Sequence, residues 1–366
     1  MAFSKEKRKG TVSGIIFVAI VASAATYIAD LAPVRALGIS PLVVGIVIGI
    51  FYANTLHNHF PTSWESGIIF SGKKILRFAI VVYGFRITFQ QIAEVGLQGF
   101  TVSLLMLTST MLVGIWLGTK LFNMDRDTSI LTASGASVCG AAAVLATEPV
   151  LKAEEYKTAV AVSMVVLFGT ISMFLYPVLY AAFIEHATGF LHMDPKTFGI
   201  YVGGTIHEVA QVVAVPASVP GAPVDMANTA VIVKMTRVIM IAPMLIVLGI
   251  ILSAIARKQG GEGSQVKLVI PWFAVYFIGV AGINSLIHAY TLGAPADTAA
   301  MIKEIISQVN IVDTFLLTMA MTALGMGTRF AKFKGLGLAP IYTAGAMFLW
   351  LVIGGFVITQ AVVAVI

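Results

Sequence analysis

Five runs of this chain, 14–29, 99–118, 158–183, 268–287 and 338–365, contain no charged residue. A helix needs about 20 apolar residues to cross the hydrocarbon of a bilayer, whereas a membrane strand needs only about ten. Runs of this length and number predict an all-α, polytopic membrane protein with about nine to eleven transmembrane segments. Composition agrees: 58% of the residues are hydrophobic and 11% charged, and the mean hydropathy is +0.94. The formal charge of +6 is scattered through short loops, which argues for bilayer topology and against a nucleic-acid partner. Cys139 is the single cysteine and excludes an internal disulfide. The N-terminus, KEKRKGTVSGIIFVAIVASAATYIAD, has features of a signal peptide but reads better as a first transmembrane helix with its basic end inside.

Spans are predicted at 12–30, 38–55, 75–93, 99–121, 157–183, 228–254, 268–288, 305–327 and 338–362. Two further apolar segments, 127–150 and 196–218, are rich in small residues and end near Pro149 and near Pro216 and Pro220. Such segments in transporters are often interrupted helices that line a cavity. The two segments also resemble each other. With one gap, GASVCG from Gly135 falls on GGTIHE from Gly203. In the helices that follow, Thr158-Ala-Val matches Thr229-Ala-Val, and Met164 matches Met235. A second echo, at a constant offset of 241, places Gly84, Gly96 and Gly114 on Gly325, Gly337 and Gly355.

Repeats in transporters are commonly inverted. If both odd segments are re-entrant hairpins, one helix separates them and they enter from opposite faces. That arrangement, preferred here over unwound crossing helices, gives nine spans with the N-terminus inside and the C-terminus outside. The cytoplasm then receives the basic residues of 5–9, 73–74, 120–126, 152–157, 257–267 and 329–334. The outside receives little beyond Arg35, Lys196 and Lys303. The chain divides into scaffold helices over 1–74, a first repeat over 75–183, the second interrupted segment with its basic helix over 184–254, and C-terminal helices over 255–366 that complete the second repeat.

GGTIHEVAQVV, from residue 203, sets His207 beside Glu208 near the middle of its segment. Ionisable residues at membrane depth mark functional sites by default. Histidine titrates near neutral pH, and a carboxylate in hydrocarbon titrates higher than in water, so both are candidate proton carriers. The bland alternative is a structural pair, with Glu208 neutralising a buried cation. TAVIVKMTRVIMIAP, from residue 229, puts Lys234 and Arg237 on one helix face. Their counterparts in the first copy are Ser163 and Val166, and those of His207 and Glu208 are Cys139 and Gly140. The charge therefore lies in the second copy alone, and two cations beside one carboxylate suit an anionic ligand. Backbone N–H groups at the interruptions, and the hydroxyls of Ser134, Ser137 and Thr205, are further candidate donors. Small residues also serve close helix packing. The predicted substrate-binding set is Lys234, Arg237, Ser137, Cys139, Gly140, Gly204, Thr205 and Gln211.

Asp313 either pairs with an arginine or carries a cation; Arg86 either reaches the site or anchors its helix at the interface, as Arg77 would. His57 and His59 share a spacing seen in metal sites but have no third ligand nearby, so no metal and no cofactor are expected. No P-loop, HExxH or aspartate-rich diphosphate motif is present, and an enzyme is not expected.

GASVCGAAAVLATEPVLKAEE, FGIYVGGTIHEVAQVVA, VIVKMTRVIMIAP and IVVYGFRITFQQIAEVG closely resemble the YeiH-like bacterial inner-membrane proteins, a family described as sulfate exporters. The resemblance runs from about Gly38 to the C-terminus. It implies distant kinship with the cation/proton antiporter and anion transporter superfamily, hence inverted repeats, crossing interrupted helices, elevator-like movement and a possible homodimer. The expected function is secondary active export of a small inorganic or sulfur-containing anion such as sulfate, coupled to protons (or sodium). The alternative is a cation/proton antiporter using Glu208 and Asp313.

Overall fold

A computed structural model describes residues 8–36, 39–258, 271–333 and 337–366. The expected span starts at 38 and 268, and Lys5, Lys7, Lys267 and Lys334, lie outside the described residues. The main elements are α1 (Arg8–Asp30), α2 (Pro41–His59), α3 (Glu65–Phe70 continuing through Ser71–Ile75 into Leu76–Tyr83), α4 (Phe89–Leu121), α5 (Arg126–Ser137), α6 (Ala141–Leu151), α7 (Glu155–Ile184), α8 (Pro195–Thr205), α9 (Val209–Ala214), α10 (Val224–Ile255, bent at Met240), α11 (Trp272–Gly293), α12 (Ala296–Gly327) and α13 (Leu338–Val365). No strand occurs among the described residues. Among the described residues eight helices are long and apolar enough to cross a membrane. The protein is a polytopic all-α membrane protein.

The span expected at 75–93 is corrected. Its helix starts ten residues earlier, at Glu65, and ends in a tight turn at Gly84–Arg86. Lys73 and Lys74 made residues 65–74 read as a loop. Both face outward, where long side chains lay their stems along the helix and carry the charge to the interface. Residues 89–93 belong to α4, which breaks at Gly96, where φ is 22° and ψ −115°. Gly337, the partner of Gly96 at the 241 offset, also has a left-handed backbone, with φ 77°.

Among the described residues the chain forms two compact units of interleaved segments. The first draws on Met1–Glu94, Pro216–Ala222 and Trp272–Ala331. Its helices pack through backbone: a Cβ on Gly49 of α2 would stand 2.9 Å from Gly325 Cα of α12, and one on Gly325 would stand 3.0 Å from Gly49 Cα. Glycine is what lets these helices touch, since lipid supplies no hydrophobic drive and close contact must do the work.

The second unit draws on Val95–Val215, Pro223–Pro271 and Lys332–Ile366. It holds the first interrupted segment and the second as far as Val215, and each folds back on itself as a helical hairpin. At the base of the first, Lys157 of α7 lies 3.4 Å from Asp125 and 3.3 Å from Asp127, so the start of α5 meets the start of α7. The chain reaches that same place from the end of α6. Midway, Leu131 of α5 and Val144 of α6 pack together with Ala161 and Val165 of α7, which a straight crossing of this length would forbid. In the second hairpin, Gly199 of α8 packs on Met226 and Thr229 of α10, and Gly203 packs on Ala230 and Val233. The two helices advance in step and run parallel, so the chain between them runs back. One hairpin begins at the start of α7 and the other after its end. The 30 residues of α7 span about 45 Å at 1.5 Å per residue, so the hairpins start from opposite ends of α7.

Candidate functional site

Each hairpin tip leaves helix ends without partners. The last four carbonyls of a helix have no intrahelical donor. Val138 N–H still reaches Ser134 O, Gly140 N–H reaches Gly135 O, and Ile206 N–H reaches Val202 O. The carbonyls of 136–138 and 203–206 are left over, and they face each other across the tips.

Lys234 and Arg237, both fully buried, fill this gap. The Lys234 ammonium donates to Val138 O and Ile206 O, each at 2.7 Å. The Arg237 guanidinium donates through Nη1 to Gly204 O at 2.5 Å and Gly203 O at 3.5 Å. Through Nη2 it donates to Ser137 O at 2.5 Å and Ala136 O at 3.2 Å. One planar fork thus ties the C-terminal end of α5 to that of α8. Two such ends carry about one negative charge between them. The cations carry two, so a positive surplus remains before Glu208 is counted.

His207 is 2% exposed, and among the described residues its Nδ1 has no hydrogen-bond partner; neither has Arg237 Nε. Nearly all buried polar atoms in proteins are hydrogen-bonded, and the exceptions call for an explanation. Both exceptions here sit at the meeting of the tips.

Glu208 is half-buried and caps α9. Its carboxylate accepts from Gln211 N–H, while Gln211 Oε1 accepts from Glu208 N–H at 3.2 Å. Gln211 is held against Gly169 of α7. Gly140, the residue before α6, has φ 78°, and a Cβ there would stand 2.5 Å from Glu208 Cγ. The Glu208 carboxyl therefore leans on the start of α6 as well. Gly140→Ala would force an unfavourable backbone and displace Glu208, at about 1–3 kcal/mol for the strain alone. We expect a lower unfolding temperature in detergent for this variant, and an unchanged one would mean the tip relaxes freely.

The other predicted residues are also at the tips. Cys139 is buried between the arms of the first hairpin. The hydroxyls of Ser137 and Thr205 are committed to their own helices: Ser137 Oγ donates to Ser134 O, and Thr205 Oγ1 donates to Tyr201 O while accepting from Tyr176 Oη at 3.0 Å. Ser134 Oγ likewise donates to Leu131 O. Two residues were missed: Tyr176 and Tyr201 stack with centroids 4.9 Å apart, and Tyr201 Oη donates to Val352 O, inside the wide turn Trp350–Gly354 of α13. In sequence they are ordinary aromatic residues of apolar helices, and only the carbonyl loosened by that turn explains the second hydroxyl.

The profile of a family described as conserved hypothetical protein 698 matches residues 13–344. The chain belongs to this family. A UPF0324 membrane protein of Pseudomonas putida is 45% identical over 97% of the chain and 94% of its own length. One of Bacteroides thetaiotaomicron is 41% identical over 95% and 97%. The UPF0324 inner membrane protein YeiH of Escherichia coli K12 is 41% identical over 97% and 95%. The YeiH-like resemblance read from the hairpin motifs is therefore correct.

Within this member of the family, Asp313 and Arg86 lie in the first unit. Asp313 is fully buried and pairs with Arg86, whose Nη2 stands 3.3 Å from Oδ2. Arg86 Nη2 also donates to Asn310 O and Thr314 Oγ1, at 2.6 and 2.7 Å. Arg86 is thus the arginine partner that the sequence allowed for Asp313. Removing one partner of a buried pair costs about 3–5 kcal/mol, and removing both often costs little. Since a quarter of Arg86 is exposed, we expect Arg86→Met to fall at or below the lower end, with Arg86→Met/Asp313→Asn recovering most of the loss in thermal stability. Arg77 lies over the Phe273 ring at 5.8 Å. His57 Nδ1 is 3.2 Å from Arg329, which also pairs with Glu65; among the described residues no three metal-ligating side chains cluster.

Proposed function

We propose that the protein is a secondary active transporter, and not an enzyme, for a small inorganic or sulfur-containing anion such as sulfate, coupled to protons across the bacterial inner membrane with its N-terminus in the cytoplasm. One observation carries this reading: two hairpins from opposite ends of α7 are joined at their tips by a buried Lys234–Arg237 pair, with His207 Nδ1 and Arg237 Nε left over beside them. The matched motifs and the paired left-handed glycines support treating the two halves as inverted copies, an architecture that gives both faces equivalent access to a midplane site.

In this reading the cations have a double duty. They close the carbonyl ends of the hairpins, and their surplus charge attracts the anion to the opposite ends, where α6 begins. Glu208 already places a carboxylate there, as a tethered stand-in for the substrate. Protonation of Glu208 releases that place and leaves the positive charge to the incoming anion. Proton and anion then bind with positive linkage and travel together. A divalent anion with one proton still carries one net negative charge. An inside-negative potential favours its exit by about 2.3 kcal/mol per 100 mV, which fits the outward direction implied by the resemblance to sulfate exporters.

Thermal shift of the purified protein against sulfate, sulfite, thiosulfate, sulfonates, carboxylates and sodium, at two pH values, tests the substrate class. A ligand stabilises in proportion to the logarithm of its concentration over its dissociation constant. A sulfur oxyanion should stabilise, and more so at the lower pH. A second reading, cation/proton antiport through Glu208 and Asp313, draws on the fully buried Asp313 carboxylate, whose ion-pair partner among the described residues is the part-exposed Arg86. Stabilisation by sodium alone, without response to any anion, would favour it.

A further inference from the structure

The start of α5 is built of three consecutive charges, Asp125, Arg126 and Asp127. Both aspartates are spoken for. Asp125 caps the helix by accepting from Thr128 N–H at 3.0 Å, and both carboxylates face Lys157. Arg126 lies between them in sequence, is exposed, and has no hydrogen-bond or ion-pair partner among the described residues.

What Arg126 meets is a groove of about 520 Å³. Its walls are the 104–115 face of α4 and the 240–255 face of α10, with Ile130 at its floor. Apart from Arg126 and Thr108 the lining is entirely apolar, mostly Leu, Ile and Met. From 104 to 115 a helix rises about 17 Å, roughly half the hydrocarbon thickness of a bilayer. If each methylene takes about 30 Å³, the share of one water molecule in the liquid, the groove has room for about one long acyl chain. The single cation stands at the end of α4 that carries Lys120, where that helix leaves the apolar run.

An apolar slot one leaflet long, with Arg126 as the one cation of its described lining, matches one partner in both shape and charge. We propose that this groove is a binding site for an anionic glycerophospholipid, with one acyl chain lying between α4 and α10 and the phosphate on Arg126. The site is distinct from the hairpin tips and does not depend on the transport reading. A zwitterionic lipid fits the slot equally well but gains less from the cation.

The test is native mass spectrometry of the detergent-purified full chain offered equal amounts of phosphatidylglycerol and phosphatidylcholine. One phosphatidylglycerol should be retained in preference by about fivefold, since one basic residue at a membrane surface contributes about that factor toward anionic lipid. Arg126→Gln should bring the ratio to near one. Leu112→Trp, at a 65% exposed groove residue that can be enlarged without entering the core, should lower retention of both lipids. Arg8→Gln, at another exposed arginine, should change nothing. Equal retention of the two lipids by the unaltered protein would overturn the proposal. So would a preference that survives both groove variants, or one lost equally with Arg8→Gln.

Discussion

Arg237→Ala is expected to cost the fold more than any other single change in the second unit. It strips the donors from four buried carbonyls, those of 136, 137, 203 and 204. An unsatisfied buried polar group costs about 1–3 kcal/mol. Even if two of the four find other donors, the loss is roughly 3 kcal/mol or more, a large share of the 5–15 kcal/mol that holds a domain together. Size-exclusion elution and unfolding temperature in mild detergent should show a protein that aggregates or melts well below the unaltered chain. Arg237→Lys should fall in between. An ammonium keeps the charge but cannot reach both helix ends with a planar fork. Lys234→Met removes two bonds rather than four and should rank below Arg237→Ala. If Arg237→Ala and the unaltered chain melt together, the guanidinium does not hold the hairpins.

The second large effect concerns coupling. Glu208→Gln keeps the shape of the cap and removes the charge that competes with an anion at the start of α6. Gln at this position accepts from Gln211 N–H as Glu does, so the fold should survive. Anion affinity should rise, or lose its dependence on pH, because the site then resembles the protonated state at every pH. Flux driven by a pH gradient should fall by about tenfold or more, while exchange of labelled for unlabelled anion at equal pH should persist. Loss of both activities together would make Glu208 a structural residue. Full pH-driven flux in Glu208→Gln would move the coupling proton elsewhere, with His207 the nearest alternative.

These residues also mark how far the sequence could be read. The spans were legible wherever charge was absent for some 20 residues. They were misplaced at 75–93, where Lys73 and Lys74 hid a helix that carries its charges on an outward face, and they began late at 99–121 and 305–327, whose helices start at Phe89 and Ala296. The hairpins were legible from small residues, flanking prolines and the matched GASVCG and GGTIHE. Lys234 and Arg237 were recognisable as a cationic face on one apolar helix. What they bind first was not. The carbonyls of a broken helix belong to every residue type alike, so no pattern of side chains announces them. The same gap explains Ser137 and Thr205, read as donors to a ligand but turned to the backbone of their own helices. Tyr201 went unseen because its partner, Val352 O, is freed by a local widening of α13 rather than by any residue of distinctive chemistry.

The most direct measurement is uptake and release of labelled sulfate in proteoliposomes, with internal pH and an imposed potassium diffusion potential controlled together. Release should quicken as the inside is made negative, with each sulfate carrying about one proton in the same direction, and the proton should no longer accompany sulfate in Glu208→Gln. Protons moving opposite to sulfate, or sodium moving against protons with sulfate absent, would contradict a hairpin site in which one anion and one proton bind together.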